Sequence, residues 1–360
     1  MTGQQTGNLS EYTSLHIGGP AQAFYITQDR DEFVARIAQA DKSSSRLLIL
    51  GGGSNILVND CGFEGTVIKD GREELEITSS EQNDFAYVRV SAGYCWDDFV
   101  LWTITHKLSG IAALSGIPGS VGAAPVQNIG AYGHEVASVI ESVYVYDRFL
   151  KTERVLQKND LAFAYRSSAI KKSISTAQKT DPVILGPSGR WIVLEVVFKL
   201  EKSLLAEPVM YAELAQQLGA QQGDRLPLEE IRRHVLSLRD KKGMRYREDD
   251  RDCWSAGSFF TNPILTKEQE CKLDSNAPRY PYLDGYKTSA AWLIDHAGFH
   301  KGYKLDSSGA QLSTKHVLAL CNHDNAKAQD VLKLANHIQE GVYKKYHINL
   351  EMEVIRVGLD

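Results

Sequence analysis

"PGSVGAAPVQNIGAYG", Pro118 to Gly133, carries four glycines and one Gln-Asn pair without a single charged side chain. Such a run lets backbone approach a flat or extended ligand closely, and its amides can hold pyrophosphate oxygens. Gln127 and Asn128 offer donors and acceptors suited to a heterocycle edge. A second bare stretch, "GGGSN" at Gly51 to Asn55, follows directly on the apolar run Leu47 to Leu50. A strand ending there delivers a tight turn rich in N–H groups, a nest that suits phosphate. The dinucleotide fingerprint G-x-G-x-x-G needs glycine at position 56, where Ile56 stands, and "NILV" reads as strand rather than helix. The two stretches therefore suit a ligand that carries phosphate and a flat ring, with an ordinary glycine turn the alternative for the first and a ligand-free packed loop for the second, and neither is a Rossmann turn.

Bulk properties narrow the partner. A chain of 360 residues predicts two domains at roughly 150 residues each. Lys plus Arg total 40 and Asp plus Glu 45, a formal charge of −5, which excludes nucleic acid or an anionic membrane as a partner held through bulk charge. A small molecule is the expected ligand and a monomer the expected state. The five cysteines (Cys61, Cys95, Cys253, Cys271, Cys321) are scattered and form no C-x-x-C pair, so neither a disulfide framework nor a zinc knuckle is indicated, and no metal is expected. The N-terminal segment has no basic region followed by an apolar one, and no run is long enough to span a bilayer, so a cytoplasmic protein is expected.

Along the chain, "RLLILGGGSN", "GTVIKD", "AYVRVSAG", "SVYVYD" and "WIVLEVVFKL" read as strands, with helices at "RDEFVARIAQAD" and "CWDDFVLWTITHKL". These make a first α+β domain over residues 10–202. Beyond it, Leu228, Ile231, Val235 and Leu238 mark an amphipathic helix, and Val331, Leu334, Ala335, Ile338 and Val342 another, before "INLEMEVIRVG" closes in strand alternation. A second α+β domain is expected over 203–360.

The motifs "LGGGSNILV", "SGIPGSVGAAPVQNIGAYG", "FAYRSSAIK", "SAGSFFTNP" and "LEMEVIRVG", in this order from about Tyr12 to Gly358, resemble those of the UDP-N-acetylenolpyruvoylglucosamine reductases, flavoenzymes of peptidoglycan precursor synthesis. The resemblance implies a two-lobed FAD-binding domain of the vanillyl-alcohol-oxidase type followed by a smaller α+β substrate-binding domain. It also implies non-covalent FAD, NADPH as hydride donor and a UDP-sugar enolpyruvyl ether as substrate. Flavin contacts then fall on Gly51, Gly52, Gly53, Ser54, Asn55 and Ile56 in the first stretch. In the second they fall on Ser115, Pro118, Gly119, Gly122, Ala123, Gln127, Asn128, Gly130, Ala131 and Tyr132.

By the same resemblance Arg166 in "AYRSS" is the catalytic arginine, Ser258 in "AGSFF" the proton donor and Glu353 in "LEMEV" the acid beside the developing enolate, with Glu351 the alternative on the same strand face. Asn262, Tyr211, Arg239 and Lys242 match substrate-binding positions. A guanidinium grips a carboxylate at two points while countering added charge. Family members commonly carry an acidic residue after the Tyr-Arg pair, where this chain has Ser167. The segment Asp249 to Trp254 matches none of these motifs.

Overall fold

The computed structural model describes residues 7–78, 84–180 and 186–359; the first six residues of the N-terminal segment lie outside them. The chain forms two compact units. Unit 1 comprises Met1–Gly7, Ala21–Gly52 and Glu64–Asp240, and unit 2 comprises Asn8–Pro20, Gly53–Phe63 and Lys241–Asp360.

Among the described residues, unit 1 holds two sheets of three or more strands beside the short hairpin Gly130–Ala131/His134–Glu135. The smaller has the strand order Ala21–Thr27, Phe63–Asp70, Leu47–Leu50, the last two parallel with Leu47 opposite Thr66 and Leu50 opposite Lys69. Helix Arg30–Lys42 starts at Asp29, whose carboxylate accepts from the Glu32 N–H at 2.9 Å, and buries Phe33, Ile37 and Ala40. The larger sheet is antiparallel, in the order Thr152–Gln157, Ile140–Asp147, Trp191–Lys202, Phe85–Ser91, Leu75–Ile77. Its central strand Trp191–Lys202 is apolar on both faces because both are covered. One face packs on helix Trp96–Thr105, where the Phe99 and Phe198 rings lie 4.8 Å apart.

Helix Leu228–Lys241 sends Leu228, Ile231, Val235 and Leu238 into this same core. That burial moves the boundary. The expected division at 202/203 gives way to one at 240/241, because a helix belongs to the core that takes its apolar stripe.

In unit 2, helix Ala328–Tyr346 buries Val331, Leu334, Ala335, Ile338 and Val342 against hairpin Ala310–Leu312/Leu320–Asn322. The closing strand is shorter than its alternation implies. Only Ile355–Val357 is regular, paired in parallel with Ile56–Val58. Leu15, Ile17 and Leu57 enter this core, which is why two N-terminal pieces cluster with the C-terminal unit. The segment around Asp249 to Trp254 is an anchor for unit 2. Asp252 accepts from Thr314 N–H at 2.7 Å, Thr314 Oγ1 at 2.6 Å and Ser313 Oγ at 2.9 Å, and Lys315 pairs with Asp250. Against the upward push of burial, the bonds from Thr314 and Ser313 hold Asp252 below the ordinary carboxylate range.

Candidate active site

In unit 1 the two glycine-rich stretches touch. A Cβ on Gly52 would stand 2.5 Å from the Gly119 Cα, and one on Gly122 would stand 2.4 Å from the Ala92 Cβ. Much of the bare backbone is therefore demanded by chain packing on chain, a need the sequence reading had assigned to a ligand. A donor set remains beside this packing. The N–H groups of Gly119 and of buried Ser120 have no acceptor among the described residues. Buried amides seldom stay unpaired, and such unspent dipoles suit a pyrophosphate, so these residues fit FAD. Lys69, which motif reading missed, donates to the Gly51 carbonyl at 3.1 Å.

Several expected flavin contacts spend their side chains internally. Ser115 Oγ donates to the Ala112 carbonyl at 2.7 Å. Asn128 is fully buried; its Nδ2 donates to Glu135 Oε2 at 2.7 Å and the Ala164 carbonyl at 3.1 Å, while Oδ1 accepts from the Ala137 N–H at 3.0 Å. A heterocycle edge is therefore not what its amide reads. Ile56 is a strand residue of unit 2. After Gly130 and Ala131, Tyr132 and Gly133 both take positive φ (52° and 87°) and close a two-residue hairpin onto His134 and Glu135, as a type I′ turn requires. Burial pushes the Tyr132 phenol up to about 12.

Arg166 occupies a tight turn in which Ala164 and Ser167 exchange both backbone hydrogen bonds at 3.0 Å. Of the two central residues Arg166 alone has positive φ, 51°. A turn of this kind ordinarily takes glycine or asparagine there, so the arginine is held against its preference. Its Nη2 donates to the Gly130 carbonyl at 2.9 Å, Nη1 reaches the Asn128 carbonyl at 3.5 Å, and Lys171 Nζ caps the Arg166 carbonyl at 3.0 Å. Arg239, expected at a diphosphate, lies in unit 1, where its Nε donates to the Gly116 carbonyl at 3.0 Å. The Gly116 N–H and Arg232 both bind Asp97, a network that sequence spacing does not reveal. Tyr211 stands 38% exposed at a helix start, edge-on to Tyr132 at 5.7 Å.

Unit 2 brings Ser258, Asn262 and Glu353 onto neighbouring segments. The Glu353 N–H donates to the Phe259 carbonyl at 2.9 Å and the Thr261 N–H to the Glu351 carbonyl at 3.0 Å, so the two motifs run side by side. Glu353 is buried and Glu351 exposed, which separates the two candidate acids that alternation left equivalent. Asn55 Nδ2 donates to the Glu353 carbonyl at 3.3 Å. Asn262 accepts from the Ala290 N–H at 3.0 Å, and half-buried Lys242 lies just past the unit boundary.

Comparison with known proteins follows this division. Residues 21–151 match the FAD binding domain family, and 248–357 match the C-terminal domain of UDP-N-acetylenolpyruvoylglucosamine reductase. The UDP-N-acetylenolpyruvoylglucosamine reductase of Thermobifida fusca is 43% identical, covering 98% of this chain and 97% of that protein. The one from Salinispora arenicola is 41% identical over 98% and 94%. The crystal structure of the Thermus caldophilus reductase covers 99% of this chain and 100% of its own, at 26% identity and a TM-score of 0.63. Matched along its whole length and in both units, the chain belongs to the UDP-N-acetylenolpyruvoylglucosamine reductase family.

Proposed function

We propose that this chain reduces the enolpyruvyl ether of UDP-N-acetylglucosamine to its lactyl ether, UDP-N-acetylmuramate, with NADPH as hydride donor and FAD bound non-covalently. The observation that carries this reading is end-to-end kinship at 43% identity with a reductase named for that substrate. Bound FAD supplies a two-electron carrier between NADPH and the sugar substrate.

The reaction adds hydride and a proton across the vinyl carbon–carbon bond. Hydride goes to the methylene carbon, and negative charge builds on the carbon next to the carboxylate, spreading into it as an enolate. A fixed cation at that carboxylate lowers the barrier. Arg166 takes this role, gripping both carboxylate oxygens with a guanidinium set by the Gly130 carbonyl. Glu353, buried on the segment beside Phe259, donates a hydrogen bond to the developing enolate from its protonated form. Ser258 delivers the proton to the carbon. Asn262, Lys242 and Tyr211 bind the nucleotide sugar. The substrates, a nucleotide sugar and NADPH, place the reaction in the cytoplasm, and the enzyme works as a monomer.

The test is direct. Purified protein should show a flavin absorption spectrum, lose the flavin to the supernatant on acid precipitation, and bleach with NADPH. Colour should return when the enolpyruvyl sugar is added without oxygen. Bleaching without recovery would sink the proposed substrate, and flavin retained in the precipitate would favour an oxidase with tethered cofactor. A colourless protein that takes up no FAD would leave only a nucleotide-binding module. Light scattering on the eluted protein decides the monomer.

A further inference from the structure

Arg166 is followed by Ser167, so its orientation has to come from elsewhere in the fold. Two short loops converge on it. One is the hairpin Gly130 to Glu135, whose first carbonyl takes the guanidinium Nη2 at 2.9 Å. The other is the turn Ala164 to Ser167, which holds Arg166 at φ 51°. A single side chain ties them together. Asn128 Nδ2 donates at once to the Glu135 carboxylate at the foot of the hairpin and to the Ala164 carbonyl at the start of the turn. Its Oδ1 takes the Ala137 N–H, and its own φ is 49°, so the residue is itself held in a conformation that asparagine tolerates better than most. The carboxylate partner makes the Asn128–Glu135 bond charge-assisted, which strengthens it where Asn128 is fully buried and Glu135 partly so.

We propose that Asn128 and Glu135 are positioning residues that clamp the hairpin to the Arg166 turn and thereby aim the guanidinium at the substrate carboxylate. The inference rests on Arg166 being the carboxylate-binding arginine. Neither residue touches the reacting atoms in this scheme. Glu135 polarises and orients the Asn128 amide, Asn128 fixes the distance between Gly130 and Ala164, and that distance sets where the Arg166 fork points. Misplacing a group of this kind by about 1 Å costs on the order of 100-fold.

The test uses the flavin-loaded enzyme in four variants. Glu135→Gln keeps the shape and removes the charge. Asn128→Asp sets two carboxylates against each other. The double variant Asn128→Asp/Glu135→Gln restores one bond with donor and acceptor exchanged, and Arg166→Lys serves as reference. Flavin content and the rate of flavin reduction by NADPH are expected to stay at wild-type level in the Glu135→Gln and double variants. Reoxidation by the enolpyruvyl sugar should slow by about 10-fold in Glu135→Gln and about 100-fold in Asn128→Asp, and recover by roughly 10-fold in the double variant. Calorimetric Kd for the sugar, measured without NADPH, should weaken in step. Wild-type reoxidation and affinity in Glu135→Gln and Asn128→Asp, with Arg166→Lys impaired, would overturn the clamp alone. Parallel loss of melting temperature, flavin and both half-reactions without recovery in the double variant would reduce the pair to scaffolding. Unimpaired Arg166→Lys would remove the parent reading and the clamp with it. If Asn128→Asp does not fold, Glu135→Gln decides between these outcomes.

Discussion

Arg166 in unit 1 sits at positive φ, its turn closed by two backbone bonds, its carbonyl capped by Lys171 and its guanidinium on Gly130. Ser258 in unit 2 follows Gly257, around whose missing Cβ there is open space, and its hydroxyl makes no bond among the described residues. The difference fits the two tasks proposed for these residues. A guanidinium that counters developing charge works only if its position is settled beforehand, since reorientation during the reaction costs what the charge would gain. A hydroxyl that passes a proton reaches its target by rotation about one bond. Arg166 is thus held in a strained turn, and Ser258 has no such positive φ.

The comparison breaks most visibly at Ser258. Ser258→Ala is expected to leave reduction of flavin by NADPH intact and to slow reoxidation by the sugar by roughly 100-fold to 10,000-fold, the usual cost of losing a positioned acid. Stopped-flow absorbance of each half-reaction separates the two. Equal slowing of both would mean that the serine supports the flavin site, and no slowing would hand the proton to water.

Arg166→Lys keeps charge and discards the fork. Reoxidation should fall by about 100-fold to 1,000-fold and the sugar KM should rise together with it, because both carboxylate grip and enolate stabilisation are lost. A change in kcat with KM untouched would show that the arginine acts after binding.

Packing beneath the glycine loop gives a smaller effect. Gly122→Ala places a methyl 2.4 Å from the Ala92 Cβ, and overpacking of this kind typically costs about 1 to 3 kcal/mol. The melting temperature of the apo-protein should therefore fall. An unchanged apo-protein that binds flavin poorly would restore the ligand as the reason for this glycine.

The smallest expected effect sharpens the unit 2 side. Asp252 anchors the segment that leads into Ser258 through Thr314 and Ser313. Its folded pKa is depressed, so the stability it contributes is present above the unfolded carboxylate value, about 3.9, and is lost as pH falls through the folded one. Asp252→Asn should lower stability at neutral pH by on the order of 1 kcal/mol and flatten the acid limb of a melting-temperature profile. An acid limb identical to wild type would mean that other carboxylates govern it.

Alternation and helical spacing located the elements with a plain apolar period, because a residue's period is a local property, but not strand Ala21–Thr27 or helices Ala169–Thr180 and Ala290–His296. Leu228, Ile231, Val235 and Leu238 announced their helix in this way. Which core would take it was not legible, and the boundary moved by a whole helix as a result. The motif order carried the family and named Arg166, Ser258 and Glu353. It could not separate Glu353 from Glu351, since alternation assigns both to one face, whereas in the fold Glu353 is buried and Glu351 exposed.

Sequence by itself thus determined the class of chain, its cofactor-ready loops and the chemical types at its site, all of which reside in short contiguous segments. Tertiary structure alone decided what those segments face. Asn128 reads a heterocycle in a linear motif and a carboxylate in the fold, because Glu135 and Ala164 reach it only once the hairpin and the Arg166 turn have closed. Gly122 is bare for Ala92, thirty residues away along the chain. Hydrogen bonds and van der Waals contacts act over a few ångströms in space and are blind to distance along the chain, so the partners that hold a catalytic group in place appear only when the backbone has been folded around it.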